Sequence, residues 1–208
     1  MTERLMVSAV IPAFNEAARI EPILKTLDSI VDEIIVVDDA SNDDTASVAQ
    51  NYAIVLRNTV NKGYIFSIKK GFQQAKNDII VTLDADGEHD PTQIPQLVEP
   101  LQQNQADLVL GVRNHIPRVS ERLLNWLTNL KLQTKDCGTG FKAIRKDLAV
   151  KLKLNGKCTC GIFVLEAAAN GARIKDVPIQ TNQIAKPRHI AWEHIIQICI
   201  VLRWLINI

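Results

Sequence analysis

Two aspartates one residue apart, in Asp84-Ala85-Asp86, form the pattern with the clearest chemical potential. They follow an apolar run at residues 79–83 and are followed at once by Gly87. Carboxylates this close at a strand end point the same way only where the chain turns, and the glycine favours such a turn. The pair suits Mg²⁺ or Mn²⁺, hard cations that accept carboxylate, diphosphate and water oxygens together. Alone it is a weak signal, because aspartates also cap helices.

Other polar residues also come directly after apolar runs. Asn15 and Glu16 follow the first run, Asp38 and Asp39 the second, and Arg113 the run that ends at residue 110. In open α/β sheets, ligands bind beyond the carboxyl ends of the strands. We therefore expect these side chains to lie along one edge of a sheet, beside the aspartate pair.

The elements that must position these residues are visible as alternating patterns. Strands are predicted at residues 6–11, 33–37, 54–56, 78–83 and 108–110, and helices at 17–30, 43–51, 64–75 and 92–103. This order predicts a parallel sheet with helices on both faces, and the lack of polar alternation in the strands fits that burial. Further along, helices are predicted at 117–133 and 165–171 and a strand at 174–179. We expect one Rossmann-like α/β domain over residues 1–188, with a mostly parallel central sheet.

Composition excludes several classes of protein. The 208 residues are 47% hydrophobic and 23% charged, which is typical of one globular domain. A formal net charge of +1 gives no general attraction to nucleic acid. The N-terminus lacks the apolar stretch and cleavage site of a secretory signal, so a cytoplasmic location is expected. Residues 189–208 form an apolar segment shorter than the roughly 20 residues of a membrane span, and either packing on the domain or contact with a membrane interface remains open.

The cysteines and histidines give little evidence of a further site. Cys158 and Cys160 offer two metal ligands, but no second Cys or His pair stands at zinc spacing, which favours ordinary reduced cysteines. Three histidines are expected to be surface or packing residues: His115, His189 and His194. His89, inside the acidic motif, remains open as a functional residue.

A series of short motifs follows in order along the chain. They are Pro12-Ala13-Phe14-Asn15-Glu16, Asp38-Asp39-Ala40-Ser41, Asn61-Lys62-Gly63, the acidic motif of residues 84–91, Gly111-Val112-Arg113, residues 136–142 and residues 166–179. Together they resemble the motifs of family-2 glycosyltransferases, in particular the dolichyl- or polyprenyl-phosphate mannose or glucose synthase branch. The resemblance spans about residues 7–179, and the ordered set is far more specific than any one motif. It implies the GT-A fold.

The resemblance also implies roles for matching residues. The nucleotide is expected to contact Pro12, Ala13, Asn15, Glu16, Asp39, Lys62, Asp84 and Ala85. The metal ligands are expected to be Asp84, Asp86 and Glu88. An acceptor phosphate is expected to contact Arg113, Arg118, Arg122 and Lys142. The catalytic residues are expected to be Asp86, Arg113 and Asp136.

The implied reaction is an inverting, metal-dependent transfer of a hexose. The donor would be GDP-mannose or a UDP-sugar, the cofactor Mg²⁺ or Mn²⁺, and the acceptor a polyprenyl or dolichyl phosphate, with peripheral contact at the cytoplasmic face of a membrane. An anionic phosphate acceptor needs no strong base, whereas a hydroxyl acceptor would need one, and Asp136 is then the candidate.

Alternative functions remain open. They are transfer to a soluble or polysaccharide hydroxyl, and a relative without catalytic activity. A phosphatase with a D-x-D-G motif is disfavoured by Glu88 and by the late position of the motif. Two residues depart from the branch: Ile65 stands at a usual glycine, and Lys142 replaces an arginine, which is not a conservative change at a bidentate site.

Overall fold

The computed structural model describes residues 5–116, 118–182 and 190–206, and for residues 190–193 the backbone alone. The expected boundary between the domain and the C-terminal segment, at residue 188, lies outside the described residues, as does His189. That boundary stays a prediction.

Within the described part of the chain, seven strands form one sheet. They are β1 (Val7–Ala13), β2 (Glu33–Asp38), β3 (Ile54–Arg57), β4 (Ile79–Thr82), β5 (Leu108–Arg113), β6 (Lys142–Arg145) and β7 (Ile174–Ile179). Their order is β3-β2-β1-β4-β6-β5-β7, and all neighbours are parallel except β6, which runs antiparallel to β4 and β5. The predicted mostly parallel sheet is confirmed. Strand β6 was not predicted, because a cation at each end of its four residues hides the apolar pattern.

From β1 to β5 the helices alternate with the strands, as the sequence predicted. They are α1 (Ala17–Leu27), α2 (Thr45–Ala49), α3 (Tyr64–Gln74), α4 (Ile94–Gln102), α5 (Val119–Thr128), α6 (Lys146–Ala149), α7 (Ile162–Ala169) and α8 (Ile190–Ile206). A short 3-10 helix, Pro91–Gln93, precedes α4, and Asp90 caps it by accepting a hydrogen bond from the backbone N–H of Thr92. The helix expected over residues 117–133 is shorter in the structure, where α5 ends at Thr128 and the chain then turns.

Both faces of the sheet are covered, which explains why its strands are apolar without alternation. In β1, Ala9 and Ile11 pack with α1 and α4 on one face, whereas Val10 packs with α3 on the other. Phe72 of α3 meets Phe163 of α7 edge to face, with ring centroids 6.2 Å apart. Successive strand side chains point to opposite faces, so each strand contributes to two cores at once.

Helix α8 packs its inner face on the domain. Val201 is fully buried in a cluster with Leu124 of α5. Gln197, also fully buried, accepts a hydrogen bond from the backbone N–H of Lys157 at 3.1 Å. Among the described residues, no helix combines the length and the hydropathy needed to cross a bilayer.

The strand order places a ligand-binding edge beside β1. Its two neighbours, β2 and β4, are reached by connections that run in opposite directions along the sheet. Such a reversal opens a crevice at the carboxyl ends of the strands. The carboxyl ends of β1, β2, β4 and β5 and the start of the antiparallel β6 all lie at this edge.

We predict that Glu166→Ala lowers the stability of the fold. Glu166 of α7 accepts hydrogen bonds from the backbone N–H groups of Lys153 at 2.6 Å and Leu154 at 3.0 Å. Removing the carboxylate leaves these donors without their acceptor, which costs about 1–3 kcal/mol. Urea denaturation should show a lower midpoint at an unchanged slope. Glu99→Ala, on the exposed side of α4, is the control; equal midpoints for the two variants would contradict the prediction.

Candidate active site

The carboxylate of Asp84, just after β4, is fixed by two contacts from distant parts of the chain. The hydroxyl of Tyr64 donates a hydrogen bond to its Oδ1 at 3.0 Å. A Cβ atom on Gly140 would lie 2.3 Å from its Oδ2, so only glycine leaves room for the carboxylate there. Burial, and then the charge of Asp84, raise the pKa of Tyr64 well above its usual range, which keeps the hydroxyl protonated as a donor.

Asp84 belongs to a cluster of metal-ligating side chains. Donor atoms of Asp84, Glu88 and His89 all lie within 4.8 Å of one another. Glu88 and His89 are buried, and the imidazole ring lies against Phe141 with centroids 5.2 Å apart. Two carboxylates in this arrangement fit a hard divalent cation such as Mg²⁺ or Mn²⁺.

The predicted metal ligands are therefore brought together in part. Asp84 and Glu88 converge as expected, and His89, which the sequence left open, joins them. Asp86 lies in the turn after β4, where its Oδ1 accepts a hydrogen bond from the backbone N–H of Glu88 at 3.0 Å. Among the described residues, the compact metal-ligating group at this edge does not include the Asp86 carboxylate. Its roles as ligand and catalytic residue stay predictions.

Arg113, the last residue of β5, is a buried cation surrounded by carboxylates. Its Nε lies 2.7 Å from Asp136 Oδ2, and its Nη2 lies 3.0 Å from both Asp136 Oδ1 and Glu121 Oε2. Its Nη1 lies 3.7 Å from Glu88 Oε1. Burial lowers the pKa of Arg113, but the hydrogen bond and charge of Asp136 and the charges of Glu121 and Glu88 raise it overall, so the guanidinium stays charged. Arg113 thus connects the acidic cluster to the predicted acceptor side.

Lys142, the second cation of the predicted acceptor site, is also buried. It begins β6, opposite Thr82 of β4, and its Nζ donates a hydrogen bond to the carbonyl of Thr139. The same Nζ stands 5.0 Å from the centre of the Phe163 ring. Burial lowers the pKa of Lys142, while the neighbouring charges of Cys160, Asp84 and Asp136 oppose the shift.

The other two predicted acceptor residues lie further out. Arg118 precedes α5, and its Nη1 bonds Glu121 Oε1 at 2.8 Å, so it reaches Arg113 only through that glutamate. Arg122 is exposed, and its Nε donates to the carbonyl of Ile116 at 3.1 Å.

On the nucleotide side, Asp39 fastens the end of β2 to the loop before α3. Its Oδ1 accepts from the backbone N–H of Lys62 at 2.9 Å and from Asn58 Nδ2 at 2.7 Å, and its Oδ2 accepts from the N–H of Gly63 at 2.7 Å. Gly63 has a φ of +87°, a conformation that favours glycine. The Lys62 ammonium stands 4.4 Å from the centre of the Phe66 ring.

The loops after β1 and β2 are joined by Asn15. Its backbone N–H donates to Ser41 Oγ at 2.9 Å, and its Oδ1 accepts from the N–H of Asn42 at 2.8 Å. Glu16 bonds Arg19 at 2.9 Å. Of the remaining predicted nucleotide residues, Pro12 and Ala13 are buried at the end of β1, and Ala85 is buried beside the aspartates.

The sequence missed three residues that shape this site. Tyr64 and Glu121 carried no signal, since their contacts with Asp84 and Arg113, 20 and 8 residues away, depend on how separate elements pack. Gly140 belongs to one of the sequence motifs, but the reason for a glycine there is visible only in the structure, where it lies close to the Asp84 carboxylate.

An α/β sheet with an acidic cluster at its switch point and buried cations beside it defines a class: glycosyltransferases of the GT-A fold. The sequence profile described as "Glycosyl transferase family 2" matches residues 8–160. The chain belongs to this family and is a glycosyltransferase. The predicted family and fold are thereby confirmed.

Two of the curated relatives with named activities are mannosyltransferases. The chain is 31% identical over 207 residues to the undecaprenyl-phosphate mannosyltransferase of Micrococcus luteus, with 84% of this chain and 83% of the relative covered. It is 32% identical over 177 residues to the dolichol-phosphate mannosyltransferase of Pyrococcus furiosus, covering 73% of this chain and 49% of that protein. The chain thus matches about half the length of the Pyrococcus protein.

Among solved structures, glucosyl-3-phosphoglycerate synthase from Mycobacterium tuberculosis, in complex with phosphoglyceric acid, has a similar fold. The TM-score is 0.80 at 24% identity, over 96% of this chain and 79% of that chain. The same enzyme in complex with Mn²⁺, uridine diphosphate and glucosyl-3-phosphoglycerate gives a TM-score of 0.79 at 24% identity, over 95% of this chain and 78% of that chain.

We predict that Gly140→Ala weakens metal binding without unfolding the chain. The new methyl group would displace the Asp84 carboxylate, and a disturbed ligand contact typically costs about 10- to 100-fold in metal affinity. Calorimetric titration with Mn²⁺ measures the loss. Gly138→Ala is the matched control, since its Cβ would meet its nearest neighbours at 3.6 Å, an ordinary contact distance. Equal Mn²⁺ affinities in the two variants would contradict the role assigned to Gly140.

Proposed function

We propose that this glycosyltransferase moves a hexosyl group from a GDP- or UDP-linked sugar to the phosphate of a polyprenyl or dolichyl lipid. A single displacement inverts the anomeric carbon. The observation that carries the proposal is the convergence of Asp84, Glu88 and His89 at the switch point, with Arg113 joined to them through Glu88. The names of the Micrococcus and Pyrococcus relatives support a lipid-phosphate acceptor.

The donor would lie across the ends of β1, β2 and β4. The loops there are fastened to one another by Asn15 and Asp39, so their backbone groups are held in place before the nucleotide arrives. Such preorganisation lowers the entropy cost of binding. Pro12, Ala13, Glu16 and Lys62 complete the proposed nucleotide contacts, with Ala85 beside the metal.

A divalent cation, Mg²⁺ or Mn²⁺, would be held by Asp84 and Glu88, with His89 or the predicted Asp86 beside them. When bound, it would stabilise the negative charge on the departing nucleoside diphosphate. The short contacts from Tyr64 and Gly140 keep the Asp84 carboxylate at this position.

The acceptor phosphate would approach the buried cations Arg113 and Lys142. Asp136 and Glu121 bind Nε and Nη2 of Arg113 and fix the direction of its side chain, so Nη1 is the group that would meet a phosphate oxygen. The positive charges would attract an anionic nucleophile, and positioning with charge stabilisation would supply the catalysis.

Transfer to a sugar hydroxyl is the alternative, with Asp136 as its general base. Both Asp136 oxygens accept hydrogen bonds from Arg113, and Oδ1 also accepts from the N–H of Gly138 at 3.2 Å. A carboxylate engaged in this way is better suited to positioning than to accepting a proton, which favours the lipid-phosphate acceptor. Ile65, which kept a non-catalytic relative open, is half-buried in the first turn of α3 and packs on the core.

We predict that a nucleoside diphosphate with Mn²⁺ or Mg²⁺ raises the Tm. At a hundredfold excess over Kd the gain is about 2.7 kcal/mol, which corresponds to roughly 5–10 °C for a chain of this size. Asp84→Asn should remove the metal-dependent part, whereas the exposed Asp28→Asn should keep it. If no nucleotide shifts the Tm of the unmodified chain with metal present, the donor assignment is wrong.

A separate assay on the same chain tests whether the acceptor is a lipid phosphate. Sugar label from the nucleotide donor should pass into the organic phase when polyprenyl phosphate is supplied. Label that stays in water with a soluble hydroxyl acceptor would support the alternative.

We further propose that the enzyme contacts lipid through a continuous apolar surface, named here the outer face of α5 and α8. It consists of Val119, Leu123, Trp126, Leu130, Ile195, Cys199, Leu202 and Ile206, which are all exposed. On each segment these residues follow helical spacing, so they form one stripe, and α5 and α8 pack side by side. The exposed cations Arg122 and Lys131 flank it, which suits anionic headgroups.

We predict that the paired change Leu123→Gln and Trp126→Gln abolishes flotation with anionic vesicles. Their side chains are 42% and 59% exposed, so the fold should survive. Val60→Gln, at a site 60% exposed on the loop after β3, is the matched control. Unchanged flotation of the paired variant would contradict a lipid-binding role for this surface.

A further inference from the structure

A second metal-ligating cluster lies between α8 and the loop before α7. Ligand atoms of Cys158, Cys160 and His194 all lie within 4.8 Å of one another, and Cys160 Sγ stands 3.9 Å from His194 Nε2. Cys160 and His194 are buried, and Cys158 is half-buried. None of the three belongs to the acidic cluster at β4.

The separation between Cys160 Sγ and His194 Nε2 is close to that of a tetrahedral zinc site. Zinc binds sulfur at about 2.3 Å and imidazole nitrogen at about 2.0–2.1 Å, so tetrahedral angles require S···N near 3.6 Å and S···S near 3.8 Å. The observed 3.9 Å between Cys160 Sγ and His194 Nε2 differs by only a few tenths of an ångström. The Sγ atom of Cys158 lies within 4.8 Å of both of these atoms.

The imidazole is oriented as a metal ligand usually is. Its other nitrogen, Nδ1, lies 2.8 Å from Ser120 Oγ of α5. A hydrogen bond donated by Nδ1–H to this hydroxyl leaves Nε2 with a lone pair that can bind a metal. The hydroxyl thereby directs Nε2 of His194 at the two sulfurs.

The loop that carries the cysteines is also held in place. Gln197 Oε1 accepts from the backbone N–H groups of Lys157 at 3.1 Å and Cys158 at 3.4 Å, and its Nε2 donates to the carbonyl of Cys160 at 3.4 Å. One turn of α8 thus presents His194 and fastens the loop opposite it.

We propose that Cys158, Cys160 and His194 bind a zinc ion, with water as the fourth ligand, and that this ion clamps α8 to the domain. Two thiolates and one imidazole select zinc over Mg²⁺ and Mn²⁺. Binding releases the thiol protons to solvent and changes no oxidation state. The half-buried Cys158 gives the ion an entry path. The inference is independent of the sugar transfer proposed above, since it uses none of the residues of that site.

The competing interpretations are a thiol–imidazole hydrogen bond without metal, and a disulfide between the two cysteines. Titration of the reduced, chelator-treated full chain with Co²⁺ separates them. We expect one equivalent of Co²⁺ to bind with a thiolate charge-transfer band and tetrahedral d–d bands. Zn²⁺ should displace it, and excess Mg²⁺ should not.

Variants assign the signal to these residues. Cys160→Ser and His194→Gln should lose the charge-transfer band and the zinc-induced rise in Tm, whereas Cys199→Ser, at an exposed position on the same helix, should keep both. Ser120→Ala leaves all three ligands and should weaken metal binding by about 10- to 100-fold.

Clear outcomes would overturn the proposal. They are the absence of the band in the reduced unmodified chain, and a band of equal strength in Cys160→Ser and Cys199→Ser. Circular dichroism checks that each variant is folded. If Cys160→Ser does not fold, the half-buried Cys158→Ser and the conservative Ser120→Ala decide the question.

Discussion

The pairing of one buried cation with three carboxylates organises this molecule. Arg113 contacts Asp136, Glu121 and Glu88, which come from a loop, from α5 and from the segment after β4. An unpaired charge in a protein interior is strongly destabilising, so a buried guanidinium requires such partners. The network therefore holds four segments together at the sheet edge where glycosyl transfer is proposed to occur. The carboxylates that neutralise the charge of Arg113 also fix the direction of its side chain.

The two sides of the site are built by different interactions. On the nucleotide side, short hydrogen bonds between side chains and backbone join the loops after β1 and β2 and the loop before α3. On the acceptor side, buried charges and a close approach between Gly140 and Asp84 set the positions. A nucleotide has many polar atoms that backbone groups can bind, whereas a phosphate is bound mainly through its charge. The two kinds of interaction therefore correspond to the two ligands proposed to bind there.

Helices α5 and α8 each have an inner side that packs on the domain and an outer side that is exposed. Their inner sides bury Leu124 and Val201 together and carry Ser120 and His194 toward the two cysteines. Their outer sides expose an apolar stripe. The hydrogen bonds of Gln197 and the contact between His194 and Cys160 attach α8 to the loop before α7.

The sequence alone determined the order of strands and helices from β1 to β5, and the family. Apolar periodicity is a local property, so β1, β2, β4 and their helices were visible, as were the acids that follow the strands. Only the tertiary structure decided which side chains meet. It inserted β6 antiparallel between β4 and β5, brought His89 into the acidic cluster beside Asp84 and Glu88, and joined Glu121 to Arg113. It also brought His194 to Cys160 across 34 residues. Such contacts depend on how packed elements approach one another, which no local pattern of residues encodes.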